Sequence, residues 1–149
     1  MNFPDEEQKQ ALLEQAAQLA AKRFDAGRAS QMREFLALYY RQVDAEDLAT
    51  RAPEDVLGAA AAHLQFGGRY ASGMPKLRVY NARPEEHGWT SSHSVIEIVN
   101  DDMPFLVDSV TMEVNRQGYT IHLFNHPVYA TRRDAEGELE SIAGAERSA

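Results

Sequence analysis

Residues 100–128, NDDMPFLVDSVTMEVNRQGYTIHLFNHPV, decide the fold, because the apolar spacing changes period twice within them. Asp101 and Asp102 stop the β-branched run HSVIEIVN (93–100), whose alternation is that of a strand. Pro104 forbids continuing a central strand but suits a helix's first turn, and Asp102 just before it can cap the free N–H groups there. Leu106, Val107, Val110 and Val114 then recur at helical spacing as far as Gln117, and Gly118 supplies the left-handed residue that ends a helix. YTIHLFNHPVYATRR (119–133) returns to an extended pattern and reads as one long strand. DAEG (134–137) turns the chain, and ELESIAG (138–144) begins a partner strand.

Working outward, KLRVYN (76–81) alternates as a strand with Leu77 and Val79 on one face and Arg78 and Tyr80 on the other. The polar loop ARPEEHGWTSS (82–92) separates it from the strand at His93. Strand, helix, long strand, hairpin and strand make the first part of a βαββαβ unit, the ferredoxin-like arrangement with an antiparallel sheet. Its last helix and strand are missing, since only IAGAERSA (142–149) remains after Ser141. The reading therefore predicts an α+β chain: a helical segment over 1–72, then a domain over 73–149 that is incomplete at its C-terminus.

The helical segment carries four predicted helices. Pro4 suits the first turn of one whose stripe is Leu13, Ala16, Ala17, Ala20 and Phe24, with Gly27 as its stop. Ser30 is the expected cap of a second, with Met32, Phe35, Leu36, Tyr39, Tyr40 and Val43 on its buried face. A short third begins at Asp44. A fourth begins at Pro53, carries Val56, Leu57, Ala60, Ala61 and Leu64, and ends near Gly67 and Gly68.

Composition narrows the function. At 149 residues, 44% hydrophobic and 26% charged, the chain has enough apolar material for a real core. Fifteen basic against 23 acidic residues leave a net charge of -8, which repels phosphate backbones and anionic lipid, so neither nucleic acid nor membrane is an expected partner. There is no cysteine, which removes disulfides, thiolate nucleophiles and Cys-ligated zinc and fits a cytoplasmic protein. The acidic opening MNFPDEEQKQ lacks the basic start of a secretory signal, and no apolar run approaches the ~18 residues of a membrane span.

Candidate chemistry is sparse. His122 and His126 share one face of the predicted long strand and His93 begins a neighbouring one, but no carboxylate stands at a spacing that completes a zinc site, so the face reads as a half-exposed packing surface. Asp101 and Asp102 form a carboxylate pair, which strand termination and helix capping explain without chemistry. Asp108, Glu113 and Arg116 read as solvated or paired helix residues, and Ser109 and Thr111 have no strained nucleophile elbow around them. Tyr39 and Tyr40 fit the buried stripe, while Trp89, in its polar loop, should anchor that loop on the sheet or meet another domain. Gly67-Gly68 has no strand before it and is not a dinucleotide fingerprint, so no cofactor site and no catalytic residue is predicted in this chain.

NDDMPFLVDSVTMEVNRQGYTIHLFNHPV, with EEHGW (85–89) upstream and the helical FLALYYRQVDAEDLATRAPEDVLGAAAAH (35–63), resembles the N-terminal ACT-like region of the large bacterial NAD-specific glutamate dehydrogenases. The resemblance implies a non-catalytic regulatory and assembly region of an enzyme that converts L-glutamate to 2-oxoglutarate and ammonia, with NAD bound far downstream. ACT domains share an Asp-x-Pro-Gly-x-Leu frame before a helix and Gly-x-x-Ile after it, which Asp102, Pro104, Leu106, Gly118 and Ile121 match. Phe105 stands where that glycine would be. A ring there would project into the space an amino-acid effector uses, so Asp102, Pro104, Phe105 and Gly118 are read as a vestigial effector site. The competing readings are a stand-alone ACT-type amino-acid sensor and a small His-dependent metalloenzyme.

One consequence concerns partners. Without the last strand, a central strand exposes unpaired N–H and C=O groups, and without the second helix Ile96, Ile98, Ile121 and Leu123 are uncovered. Self-association across that edge is expected, with other domains of the same enzyme as further partners, because helices folded over the face could not satisfy a strand's backbone.

Overall fold

Asp5 opens the first helix, α1 (Glu6–Arg23), with a reciprocal cap: its carboxylate accepts from Gln8 N at 2.9 Å while the Gln8 side chain accepts from Asp5 N at 3.1 Å. The structure, a computed structural model, describes residues 5–144, and Pro4, assigned to the first turn, lies outside them. Leu13, Ala16, Ala17 and Ala20 are buried as their spacing requires.

The helix boundary differs from the expected one. Phe24 ends α1 in an extended conformation, and Asp25 at once caps α2 (Ala26–Tyr39) by accepting from Arg28 N at 2.8 Å. Gly27 and Ser30 therefore lie inside α2 instead of stopping one helix and capping the next. A carboxylate already in cap position satisfies the orphan N–H groups earlier than Ser30 could, and a glycine within the first turn is tolerated. α3 (Ala45–Leu48) and α4 (Pro53–Phe66) follow as read, the latter with Pro53 in its first turn.

These helices hold the core. Met32, Phe35 and Leu36 from α2, Leu48 from α3 and Val56, Leu57 and Ala60 from α4 close on the alanine stripe of α1. Small side chains on α1 let its neighbours approach closely. Two polar groups are buried with their partners. Lys9 is 4% exposed and donates from Nζ to Val43 O at 2.7 Å and Arg41 O at 3.3 Å, just past the end of α2. The Tyr40 hydroxyl donates to Val56 O at 2.6 Å.

The second half begins with β1 (Lys76–Tyr80) antiparallel to β2 (Val95–Val99), with Arg78 opposite Glu97. Between them lie the single turn α5 (Pro84–His87) and the loop of Trp89. α6 (Leu106–Arg116) follows, and β3 (Tyr129–Arg133) pairs antiparallel with β4 (Leu139–Gly144). Helices followed by antiparallel strands make the chain α+β, as the sequence indicated.

Two corrections follow from the sheet. The strands form two separate pairs, β1–β2 and β3–β4, instead of one sheet, and the long strand predicted over 119–133 is strand only from Tyr129. Pro127 has no N–H to give a ladder, and the Asn125 amide donates to Tyr39 O at 2.8 Å, which fastens this stretch to α2. The alternation of β1 and β2 is present, but helix α4 covers the face of Lys76, Arg78, Tyr80 and Glu97. Leu77, Val79 and Ile96 point outward, 63%, 61% and 46% exposed. Arg78 donates to Glu97, which is buried, and at 3.2 Å to Ala62 O on α4, so hydrogen bonds decide which face docks.

Candidate functional site

The residues singled out from the sequence gather at the start of α6, with one exception. Asp102, Pro104 and Phe105 line a small depression of about 450 Å³ together with Asp108 and His126. Gly118 is not among its residues; at 1.5 Å per residue it sits about 20 Å away, at the far end of the helix. His126 was not tied to this loop from sequence, because the strand expected around it is irregular here.

Asp102 makes no cap. The residue preceding α6 is Phe105, at φ 65° and ψ 8°, with no side-chain cap bond. It is the one non-glycine residue with positive φ among the described residues. Its ring is 78% exposed and does not plug the space beside the helix, contrary to the reading of Phe105 as an obstruction. The backbone here takes the conformation a glycine would take, and the phenylalanine carries that strain with its ring outward. At the other end the expectation holds. Gly118 has φ 87°, its N–H reaches Asn115 O at 3.0 Å, and Tyr119 N reaches Val114 O at 3.2 Å. This is a Schellman ending.

Asp101 does more than end a strand. Its carboxylate accepts from Ser72 Oγ at 2.6 Å, Tyr70 Oη at 3.0 Å and Gly73 N at 3.2 Å, tying the loop after α4 to the end of β2. The hydroxyls of Ser72 and Tyr70 hold its pKa below the usual carboxylate range.

A second polar group joins the two halves. The His63 ring on α4 bonds Tyr39 Oη at 2.9 Å through Nδ1 and approaches Ile98 O on β2 at 3.4 Å through Nε2. Burial lowers the His63 pKa, partly countered by Glu97. Tyr80 donates to Glu97 at 3.3 Å, and burial with the nearby Glu97 charge pushes its hydroxyl up to about 12. This seam is missed by sequence reasoning, since a lone histidine on an otherwise apolar helix face gives no sign of its partners.

Trp89 is buried against α4, where a Cβ built on Gly58 would lie 2.7 Å from its Cδ1 and closer still to Cβ and Cγ. The loop is thus anchored mainly on a helix, with the Tyr80 ring of β1 meeting Trp89 edge-on at 6.2 Å. His93 and His122 stack with ring centroids 3.8 Å apart, and among the described residues no cluster of three His, Cys, Asp or Glu side chains could hold a metal ion. Nor is any described helix long and apolar enough to cross a membrane.

A cavity of about 1140 Å³ is lined by β2, α6 and residues 119–128, and also by Tyr39 of α2 and His63 of α4. Ile96 and Ile98 face it from β2, Val110 and Val114 from α6. Asn125 and Tyr129 also line it, and Asn125 Oδ1 and Tyr129 Oη are buried without a hydrogen-bond partner among the described residues.

Comparison with known proteins places this arrangement. The family model for the ACT1 domain of glutamate dehydrogenase matches residues 35–149, a span that starts within α2. The NAD-specific glutamate dehydrogenase of Halomonas elongata is 38% identical over 148 residues, covering 99% of this chain and 9% of that protein. The protein of the same name from Pseudomonas aeruginosa is 39% identical over 108 residues, covering 72% of this chain and 7% of its own length. The chain thus spans under a tenth of either relative. No solved structure matches it.

Proposed function

Because the chain belongs to the family of the glutamate dehydrogenase ACT1 domain, we propose that it is the non-catalytic regulatory and assembly region of a large cytoplasmic, homo-oligomeric NAD-dependent glutamate dehydrogenase. The full enzyme would oxidise L-glutamate to 2-oxoglutarate and ammonia with NAD as cofactor, and this region would contact other domains of the same enzyme. The match over residues 35–149 carries the reading. The geometry supports it. Among the described residues both sheets are two-stranded and antiparallel, and none of those residues forms the parallel strand before a helix N-terminus on which a dinucleotide sits. Two of the three lysines are engaged at helix ends, Lys9 as described and Lys76 donating to Phe66 O at 2.6 Å and Arg69 O at 2.9 Å.

A second reading, an ACT-type sensor of free amino acids at Asp102, Pro104 and Phe105, is favoured by one observation. The Phe105 ring leaves the start of α6 open. Calorimetry separates the two. With NAD, glutamate, aspartate and branched-chain amino acids the chain should be silent. Micromolar NAD binding would overturn the non-catalytic assignment, and a saturable amino-acid signal lost in Asp102→Ala would replace it with the sensor.

A further inference from the structure

We infer that the Phe105 ring is a docking anchor, seated in an apolar pocket with a basic mouth on another domain of the same polypeptide. This deepens the regulatory and assembly reading and rests on the chain being part of that longer enzyme.

The backbone gives the first indication. Phe105 is the one non-glycine residue with positive φ among the described residues, at φ 65°. Glycine would adopt that conformation without strain, so a phenylalanine held there costs free energy. Within its own fold the ring packs little, being 78% exposed. A strained residue whose side chain is turned away from its own fold points to a role outside it.

The neighbours of the ring give the second. Met103, 51% exposed, lines the same small depression, and Met112, 70% exposed, follows about 10 Å along α6, seven residues at 1.5 Å each. Met112 is not among the residues lining the large cavity, so it lies on the outer side of the helix. An aromatic ring flanked by flexible thioethers has the composition of an interface centre, where the ring fills a pocket and methionine adapts around it.

Charge defines the pocket. Asp102 and Asp108 stand three residues before and three after Phe105, both exposed and neither in an ion pair among the described residues. The start of α6 offsets about half a charge, which leaves this rim acidic. Carboxylates around the partner's pocket would be repelled, whereas lysine or arginine at its mouth would be attracted. A second copy would bring the same acidic rim and another net charge of -8, and an anionic lipid surface is repelled likewise. Other domains of the same polypeptide arrive at high effective concentration, and more than nine-tenths of each relative lies outside the matched region.

Methionine supplies the test, because peroxide oxidises a thioether according to its exposure. In the isolated 149-residue chain Met103, Met112 and Met74, which is exposed in the loop before β1, should react quickly, and the buried Met32 slowly. In the full-length protein Met103 and Met112 should slow by about tenfold, as when the docked state holds about nine-tenths of the molecules, with Met74 unchanged. Phe105→Ala and Phe105→Gly in the full-length protein should both restore the fast rates, since both remove the ring and only the second relieves the strain. Asp102→Asn combined with Asp108→Asn should restore them in part. A Met32 that stays slow marks each variant as folded. Equal rates for Met103 and Met112 in the isolated and full-length proteins overturn the inference. So does slowing that survives loss of the ring or of both carboxylates, and so does equal slowing of Met74, which reports general shielding. Protection that appears in the isolated chain as concentration and molar mass rise together assigns the anchor to a second copy, and overturns it as well. Micromolar NAD binding by the isolated chain bears on the functional assignment alone, so the two can fail separately.

Discussion

Replacing Phe105 gives the sharpest check on the backbone at the start of α6. A non-glycine residue in the left-handed region costs about 1–2 kcal/mol, which glycine avoids. Glycine also loses about 0.4–1 kcal/mol through the greater freedom of the unfolded chain. With the ring 78% exposed, truncation removes about a fifth of the burial worth of a Phe side chain, roughly 0.5 kcal/mol. These nearly cancel in Phe105→Gly, so the informative comparison is with Phe105→Ala, which loses the same ring but keeps the strain. Glycine should be more stable than alanine by about 1 kcal/mol, whereas at an ordinary helical or extended position it is less stable by about 0.5–1 kcal/mol. The sign of the difference therefore reports φ. Because α6 buries none of its own residues, the assay is amide exchange within the helix, beginning at Ser109, whose N–H bonds Phe105 O at 2.9 Å. Protection in Phe105→Gly should exceed that in Phe105→Ala by about fivefold, the factor equivalent to 1 kcal/mol. Equal or lower protection would refute the positive φ. A loss near 3 kcal/mol, the scale for removing a buried Phe, would restore the ring as a plug.

Gly118→Val should cost about 1–2 kcal/mol although nothing lies within 4 Å of the new Cβ, because φ is 87° there; an unchanged melting temperature would show that the helix ends elsewhere. Gly58→Ala should cost about 1–3 kcal/mol, since the methyl group overlaps Trp89, and should shift the tryptophan emission to the red as the ring is displaced; an unshifted spectrum counts against that docking. His63 has its folded pKa lowered, so below pH about 6.5 the unfolded chain binds the proton that the folded chain refuses. Stability should therefore fall as pH drops through that value and level off below the folded pKa. His63→Gln should flatten this part of the urea-midpoint profile, and an unaltered profile would remove His63 as its cause.

How much was legible in the sequence depends on whether a residue's role is local. The stripe from Met32 to Val43 and the Gly118 ending could be read because helical spacing and a left-handed glycine are properties of a few neighbouring residues. The start of α2 was misplaced because Asp25, Gly27 and Ser30 all carry terminus signals, and only the bond from Arg28 N to Asp25 chooses among them. Alternation separated Leu77 and Val79 from Arg78 and Tyr80, yet could not say which set would be covered. That was decided by Glu97 and Ala62, 19 and 16 residues from Arg78 in the chain. The stretch before Tyr129 has strand composition, but Asn125 reaches Tyr39, 86 residues away, and no local pattern announces such a bond. Of the residues read as a vestigial effector site, Asp102, Pro104 and Phe105 are neighbours by covalent geometry alone, and Gly118 is kept away by the length of the helix.

The engagement of Lys9 and Lys76 has a consequence for the chemistry of the surface. An amine that donates to two carbonyls while packed among side chains must break those bonds to react and leaves little room for an electrophile. Acylating reagents at neutral pH should therefore mark Lys22, which is exposed, well before Lys9, which is not. Forcing the reaction onto Lys9 would remove the donor that holds Val43 O, and the label would enter only as α1 pulls away from the loop beyond α2. Mass-resolved labelling over time thus becomes a clock for the separation of those two elements, one built into the chain by where its few amines happen to lie.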